Sequence, residues 1–111
     1  MAFFPAVQEL DSLPLWSLAE SSDKITRSFV AKNFIAAMAF LNGVAKVAEE
    51  QGHHPDMHLT QYRNVEVQLF VYPGCLTRND ILEARLLDQV PVEYSPKWLR
   101  EHPEAAGATP S

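Results

Sequence analysis

The run from Phe34 to Gln51 is bracketed by Asn33, whose side-chain oxygen can accept from the first free amides of a helix, and by Gly52, which can take the left-handed turn that ends one. The bracket predicts a single helix over those residues. Phe34, Ala37, Leu41, Val44 and Ala48 form one stripe along it, and Ile35, Met38, Ala39 and Ala45 spread apolar surface well round the cylinder. One sheet face covers only part of such a helix. In a chain of 111 residues, which has few further elements to bury the remainder, the surplus points to contact between subunits.

The other segments supply the sheet. Leu15 to Leu18 and Lys24 to Val30, the latter with Ile25, Arg27 and Phe29 at alternating positions, read as strands joined through the polar turn Glu20-Ser21-Ser22-Asp23. After Pro55, Met57 to Tyr62 and Val65 to Tyr72 read as two more, with the Arg63-Asn64 corner between them. Thr77 is the expected cap of a second helix through Val90, with Asp80 at the third position of a capping-box-like arrangement and Ile81, Ala84 and Leu87 beside Leu82 and Leu86 as its buried face. The order strand, strand, helix, strand, strand, helix predicts an α+β fold with helices on one face of an antiparallel sheet. Residues 1–14, with Phe3 and Phe4, read as a loosely docked arm, 15–92 as the folded domain, and 93–111 as an irregular tail frayed beyond about Trp98.

Composition narrows the function classes. A formal charge of −5 with no basic run argues against nucleic acid as a partner. The single cysteine, Cys75, excludes an internal disulfide, and no charged segment followed by an apolar one opens the chain, so the cytoplasm is the expected compartment. No stretch is apolar for long enough to predict a membrane span.

The chemistry gathers in Glu49-Glu50-Gln51-Gly52-His53-His54-Pro55. Two carboxylates occupy the last turn of the first helix, where the macrodipole disfavours negative charge, and two imidazoles follow at the turn into a strand. Imidazole both takes and gives a proton near neutral pH. Read from the residues alone, proton-transfer chemistry and simple capping of the helix end by His53 and His54 both stay open. A zinc site is disfavoured, because Cys75 is isolated and adjacent strand residues point to opposite faces.

The run Lys46-Val47-Ala48-Glu49 to His53-His54-Pro55, then Tyr62 and Val65 to Leu69, then Leu76-Thr77 and Asp80, resembles the signature of pterin-4a-carbinolamine dehydratases. The resemblance covers roughly Leu15 to Val90. It implies a four-stranded antiparallel sheet with helices on one face, dimers joined at sheet edges and tetramers joined through helices. It also implies dehydration of a 4a-hydroxytetrahydropterin to a quinonoid dihydropterin by histidines, with no metal and no organic cofactor. Carried over residue by residue, Glu49 matches the signature's acidic residue, His53 its base and His54 a pterin-binding partner, with Pro55, Tyr62 and Asp80 also in the substrate site.

The departures from that pattern are specific. Where the family has a third histidine this chain has Tyr72, followed by a short Pro73-Gly74-Cys75 loop, and the family's leucine-rich N-terminal helix is short or absent. A phenol with an ordinary pKa of about 10 is a poor proton acceptor at neutral pH, so Tyr72 reads as vestigial. The stretch from Gly52 to Val71 and the tail Tyr94-Ser95-Pro96-Lys97-Trp98 further resemble the pterin dehydratase-like proteins that act as Rubisco assembly factors, some of them carboxysome-associated. That branch keeps the fold while dehydration is weak or lost. The implied partners are further copies of the chain, as a homodimer or homotetramer, and Rubisco subunits; an active dehydratase with a pterin substrate is the alternative. His58 is expected at the surface or an interface, and His102 in the frayed tail.

Overall fold

Alternation in the strands and the caps of the long helix place nearly every element of the computed structural model, which describes residues 12–19, 24–70 and 78–108. Strand β1 (Ser17–Leu18) is shorter than expected, and β2 (Lys24–Val30) begins where the sequence places it. Helix α1 (Phe34–Gln51) follows, then β3 (Asp56–Thr60), β4 (Asn64–Phe70) and helix α2 (Arg78–Leu87). Two short helices close the described chain, α3 (Pro96–Glu101) and α4 (Glu104–Ala108). The four strands form one antiparallel sheet in the order β1-β2-β4-β3, which leaves β3 at an edge.

Register explains which side of the sheet meets the helices. Ile25 lies opposite Leu69, Arg27 opposite Val67 and Phe29 opposite Val65, and all six are buried. The intervening residues Ser28, Glu66 and His58 line up across the other face. Period-two alternation thus delivers one apolar face and one polar face from the same strands.

Helix α1 has the limits its caps dictate. Asn33 Oδ1 accepts from the Ala36 amide at 2.8 Å, and Gly52 adopts φ 65°, the left-handed region that glycine enters without strain. Its buried stripe is Ala36, Ala37, Phe40, Val44 and Ala48, with Leu41 partly buried against the same core; Phe34 lies outside it, and Phe40 is a core residue the expected stripe lacked. Phe34, Ile35 and Met38 remain exposed, the surplus apolar surface that the sequence signalled. Gly43 allows close packing against Val90, whose Cγ1 would stand 2.5 Å from a Cβ there.

Four further expectations fail. The β3–β4 turn centres on Gln61 and Tyr62, at φ 49° and 59°, rather than on Arg63-Asn64. Helix α2 stops at Leu87 instead of Val90, and Leu82 and Leu86 are exposed while Ile81, Ala84 and Leu87 are buried. The tail is ordered through its described residues: Ser95 caps α3 with Pro96 in its first turn, and Ser95 N–H donates to Val30 O at 2.8 Å. Trp98 stacks on Tyr94 at 4.9 Å and on His102 at 4.1 Å, so His102 is held within the tail rather than frayed. Three prolines and a run of small residues outweighed those start signals in the sequence reading. The expected Glu20–Asp23 turn, the Thr77 cap, Phe3 and Phe4 fall outside the described residues.

A buried polar cluster ties these pieces together. Arg27 donates to Asp88 Oδ1 at 3.1 Å and to the Tyr94 hydroxyl at 2.9 Å, and Trp16 Nε1 donates to the same Asp88 oxygen at 3.0 Å. The guanidinium also lies over the rings of Phe29 and Phe40. Burial raises the Asp88 carboxyl above its ordinary pKa, with Arg27 and Trp16 opposing the shift.

Candidate active site

The end of α1 builds the site. With Gly52 turned left-handed, its amide and that of His53 both reach Ala48 O, and Pro55 biases His54 toward extended backbone as β3 begins. Consecutive residues of an extended segment face opposite ways, and the two imidazoles separate accordingly. His54, more than half exposed, hydrogen-bonds Glu49 Oε2 through Nε2 at 2.5 Å. His53 turns inward, and its Nε2 lies 3.6 Å from Asp80 Oδ1. That distance is an ion-pair contact rather than a hydrogen bond.

Helix α2 supplies the inner wall. Asp80, in this helix's first turn, is buried at 3% exposure and lies against His53. Three residues on, and so on the same helix face, Glu83 is 2% exposed, and neither of its carboxyl oxygens has a hydrogen-bond partner. Burial raises the Glu83 carboxyl above its ordinary pKa, His53 and His54 oppose the shift, and Asp80 adds to it. Sequence reasoning missed Glu83. The available signal was its spacing from Asp80 within the inward-facing set that includes Ile81, Ala84 and Leu87.

The structure therefore gathers Glu49, His53, His54 and Asp80 at one corner, with Pro55 half-buried beside them. Tyr62 is not brought there. It is exposed in the β3–β4 turn, beyond the far end of β3 from the histidines. Tyr72 and Cys75 lie outside the described residues. His58 is exposed on the polar face of the sheet. Among the described residues no three His, Cys, Asp or Glu side chains are grouped to hold a metal ion, and no helix is long and apolar enough to cross a membrane. The corner offers one solvent-facing imidazole backed by Glu49 and one inward imidazole backed by Asp80, an arrangement suited to moving protons near neutral pH.

Solved structures share this fold. A transcriptional coactivator/pterin dehydratase from Brucella melitensis superposes with a TM-score of 0.65 at 32% identity, covering 74% of this chain and 87% of that one. A pterin dehydratase-like protein described as a RuBisCO assembly factor in the alpha-carboxysome superposes with a TM-score of 0.57 at 20% identity, over 65% of this chain and 83% of that one. Among curated proteins, the Arabidopsis thaliana mitochondrial pterin-4-alpha-carbinolamine dehydratase 2 is 38% identical over 81 residues. The match takes in 70% of this chain but only 43% of the length of the Arabidopsis protein. The sequence pattern of the pterin 4 alpha carbinolamine dehydratases matches residues 5–90, most of the chain, and the protein belongs to that family.

Proposed function

We propose that this protein is a Rubisco assembly factor built on the dehydratase fold, cytoplasmic or carboxysome-associated, with little or no carbinolamine turnover at its histidine corner. The observation that carries the reading is the segment beyond the family match. Residues after Val90 do not trail away: Val92, Ser95 and Ala105 are buried, and Tyr94 and Trp98 pack edge-on against Phe29. With the polar sheet face they wall a groove of about 650 Å³ lined by Ser28, His58, Glu66, Trp98 and His102, at the end of the sheet away from the histidine corner. The chain thus carries a built surface that the family's chemistry does not use. Tyr72 at the third histidine position, the branch resemblance of the Gly52–Val71 stretch and of the tail, and a solved assembly factor of the same fold support the same reading.

The uncovered edge of β3 and the exposed Phe34, Ile35 and Met38 on α1 support assembly as a homodimer or homotetramer. The test is Rubisco large-subunit assembly with and without the protein, run beside a dehydration assay. Increased yield of assembled Rubisco, lost in Trp98→Ala, is expected, with carbinolamine dehydration at the uncatalysed rate. Unchanged yield together with efficient dehydration refutes the reading.

A second reading, an active dehydratase acting on a 4a-hydroxytetrahydropterin, is favoured by the retained pairs His53–Asp80 and His54–Glu49 and by the names of the curated relatives. In it His53 takes the ring N–H proton, and the C4a–O bond breaks as the hydroxyl takes a proton from solvent and leaves as water. Turnover abolished by His53→Ala supports this alternative.

A further inference from the structure

The turn that links β3 to β4 holds two consecutive residues in the left-handed region, Gln61 at φ 49° and Tyr62 at φ 59°. Glycine and asparagine enter that region at little cost, whereas a bulky aromatic residue there is an outlier. The surroundings hold the turn in place. Asn64 Nδ2 donates to Gln61 Oε1 at 3.2 Å, the Arg63 amide donates to Gln61 O at 2.9 Å, and the Ala31 amide donates to Arg63 O at 2.8 Å. The strained backbone presents an exposed Tyr62 ring, with the Arg63 guanidinium 5.6 Å from its centre. Strain of this kind collects where a chain engages a ligand or a partner, and Tyr62 has no part in the histidine corner.

Tyr62 and Arg63 line a cleft of about 330 Å³ together with Lys97, Trp98 and Glu101 of α3. The cleft adjoins the groove on the polar sheet face and shares Val30, Asn64 and Trp98 with it. Tyrosine, tryptophan and arginine are the residues in which the energy of protein interfaces concentrates, and all three meet here. Two cations and one carboxylate line the cleft, a local surplus of positive charge in a chain of net charge −5. Among the described residues neither Arg63 nor Lys97 is in an ion pair.

We propose that this cleft binds an acidic segment of a protein partner, with a carboxylate held by Arg63 and Lys97 and an apolar side chain against Tyr62 and Trp98. The proposal deepens the reading of this end of the molecule as a partner-binding surface, on which it rests, by naming the chemistry of what is held. Arginine meets a carboxylate through two parallel N–H donors, and Lys97 adds a point charge. A protein segment fits better than nucleic acid, because a phosphate backbone calls for a run of cations and the cleft has two, with Glu101 beside them.

The test is fluorescence-anisotropy binding of the full chain to a short peptide of aspartate and glutamate around one leucine, and to counterparts with lysine or glutamine in the acidic positions. The acidic peptide is expected to bind tightest, and more weakly as salt is added. Arg63→Glu and Lys97→Glu should each weaken that binding by about tenfold with the thermal melt unchanged. Gln61→Asn combined with Tyr62→Gly removes both the strain and the ring, so this variant should melt higher, by roughly 4 °C, and bind more weakly. Three peptides bound alike, acidic binding that survives both charge reversals, or equal binding of a single-stranded oligonucleotide overturns the proposal. So does a relaxed turn that melts lower or binds as tightly as wild type. Peptide binding that depends on Arg63 and Lys97, in a protein that leaves Rubisco yield unchanged, refutes Rubisco as the partner and leaves the acidic-segment site standing.

Discussion

Asp88 and Glu83 are both buried carboxyls, close together in sequence at either end of the same half-helix, and they have opposite surroundings. Asp88 receives hydrogen bonds from Arg27 and Trp16, and Tyr94 holds the far side of the guanidinium. Glu83 receives none, and burial raises its carboxyl above the ordinary range. The Asp88 cluster joins β1, β2, the end of α2 and the tail, so its polar groups serve the scaffold. Glu83 lies on the same face of α2 as Asp80, which meets His53 at the corner where α1 turns into β3, and its hydrogen bonds are unmet. Two buried acids in one small domain are thus told apart by partners rather than by burial.

Cutting the satisfied cluster should give the largest effect. Arg27→Ala leaves Asp88 buried without its cation and is expected to cost about 3–5 kcal/mol, read by denaturant unfolding. A cost near that of an ordinary surface substitution would erase the contrast drawn here. Relieving the unsatisfied cluster should act in the other direction. Glu83→Leu removes a buried carboxyl that has no partner and is expected to stabilise the fold by about 1–3 kcal/mol at neutral pH, at the expense of any chemistry at the corner.

Acidity sharpens the same comparison. Because the folded-state pKa of Glu83 is raised, the native state holds its proton where the unfolded chain has lost it. The stability tied to this group is therefore present below the ordinary carboxylate pKa and is lost as pH rises through the raised value. Melting temperatures of wild type and Glu83→Gln should converge in acid and separate toward neutrality, the variant being the more stable there. The smallest effect belongs to the exposed pair at the corner. Glu49→Gln breaks a contact between two solvated side chains, and thermal unfolding should register less than about 1 kcal/mol.

Legibility followed the range of the forces. The limits of α1 could be read because Asn33 and Gly52 act on amides and carbonyls within a few residues of themselves. The histidine corner could be read because its chemistry is contiguous. Arg27 was in plain view, in phase with Ile25 and Phe29 on the buried side of β2, but nothing nearby in sequence named Asp88 as its partner. The ordered tail was half visible, since Ser95-Pro96 is a helix-start pair, while the surface that holds Trp98 in place comes from Phe29, far back in the chain. Glu83 was passed over because polarity is a property of the side chain and burial a property of the whole fold.

By itself the sequence determined the caps and length of α1, the alternation that gives the sheet one apolar and one polar face, and the placing of two histidines at a fixed turn. Each depends on backbone geometry and on neighbours within one or two turns. Only the tertiary structure decided which carboxylates lost their water, which of them found a cation and which one, Glu83, was left without a hydrogen-bond partner. Desolvation is imposed by atoms from distant segments packed together, and no local pattern of residues carries that information.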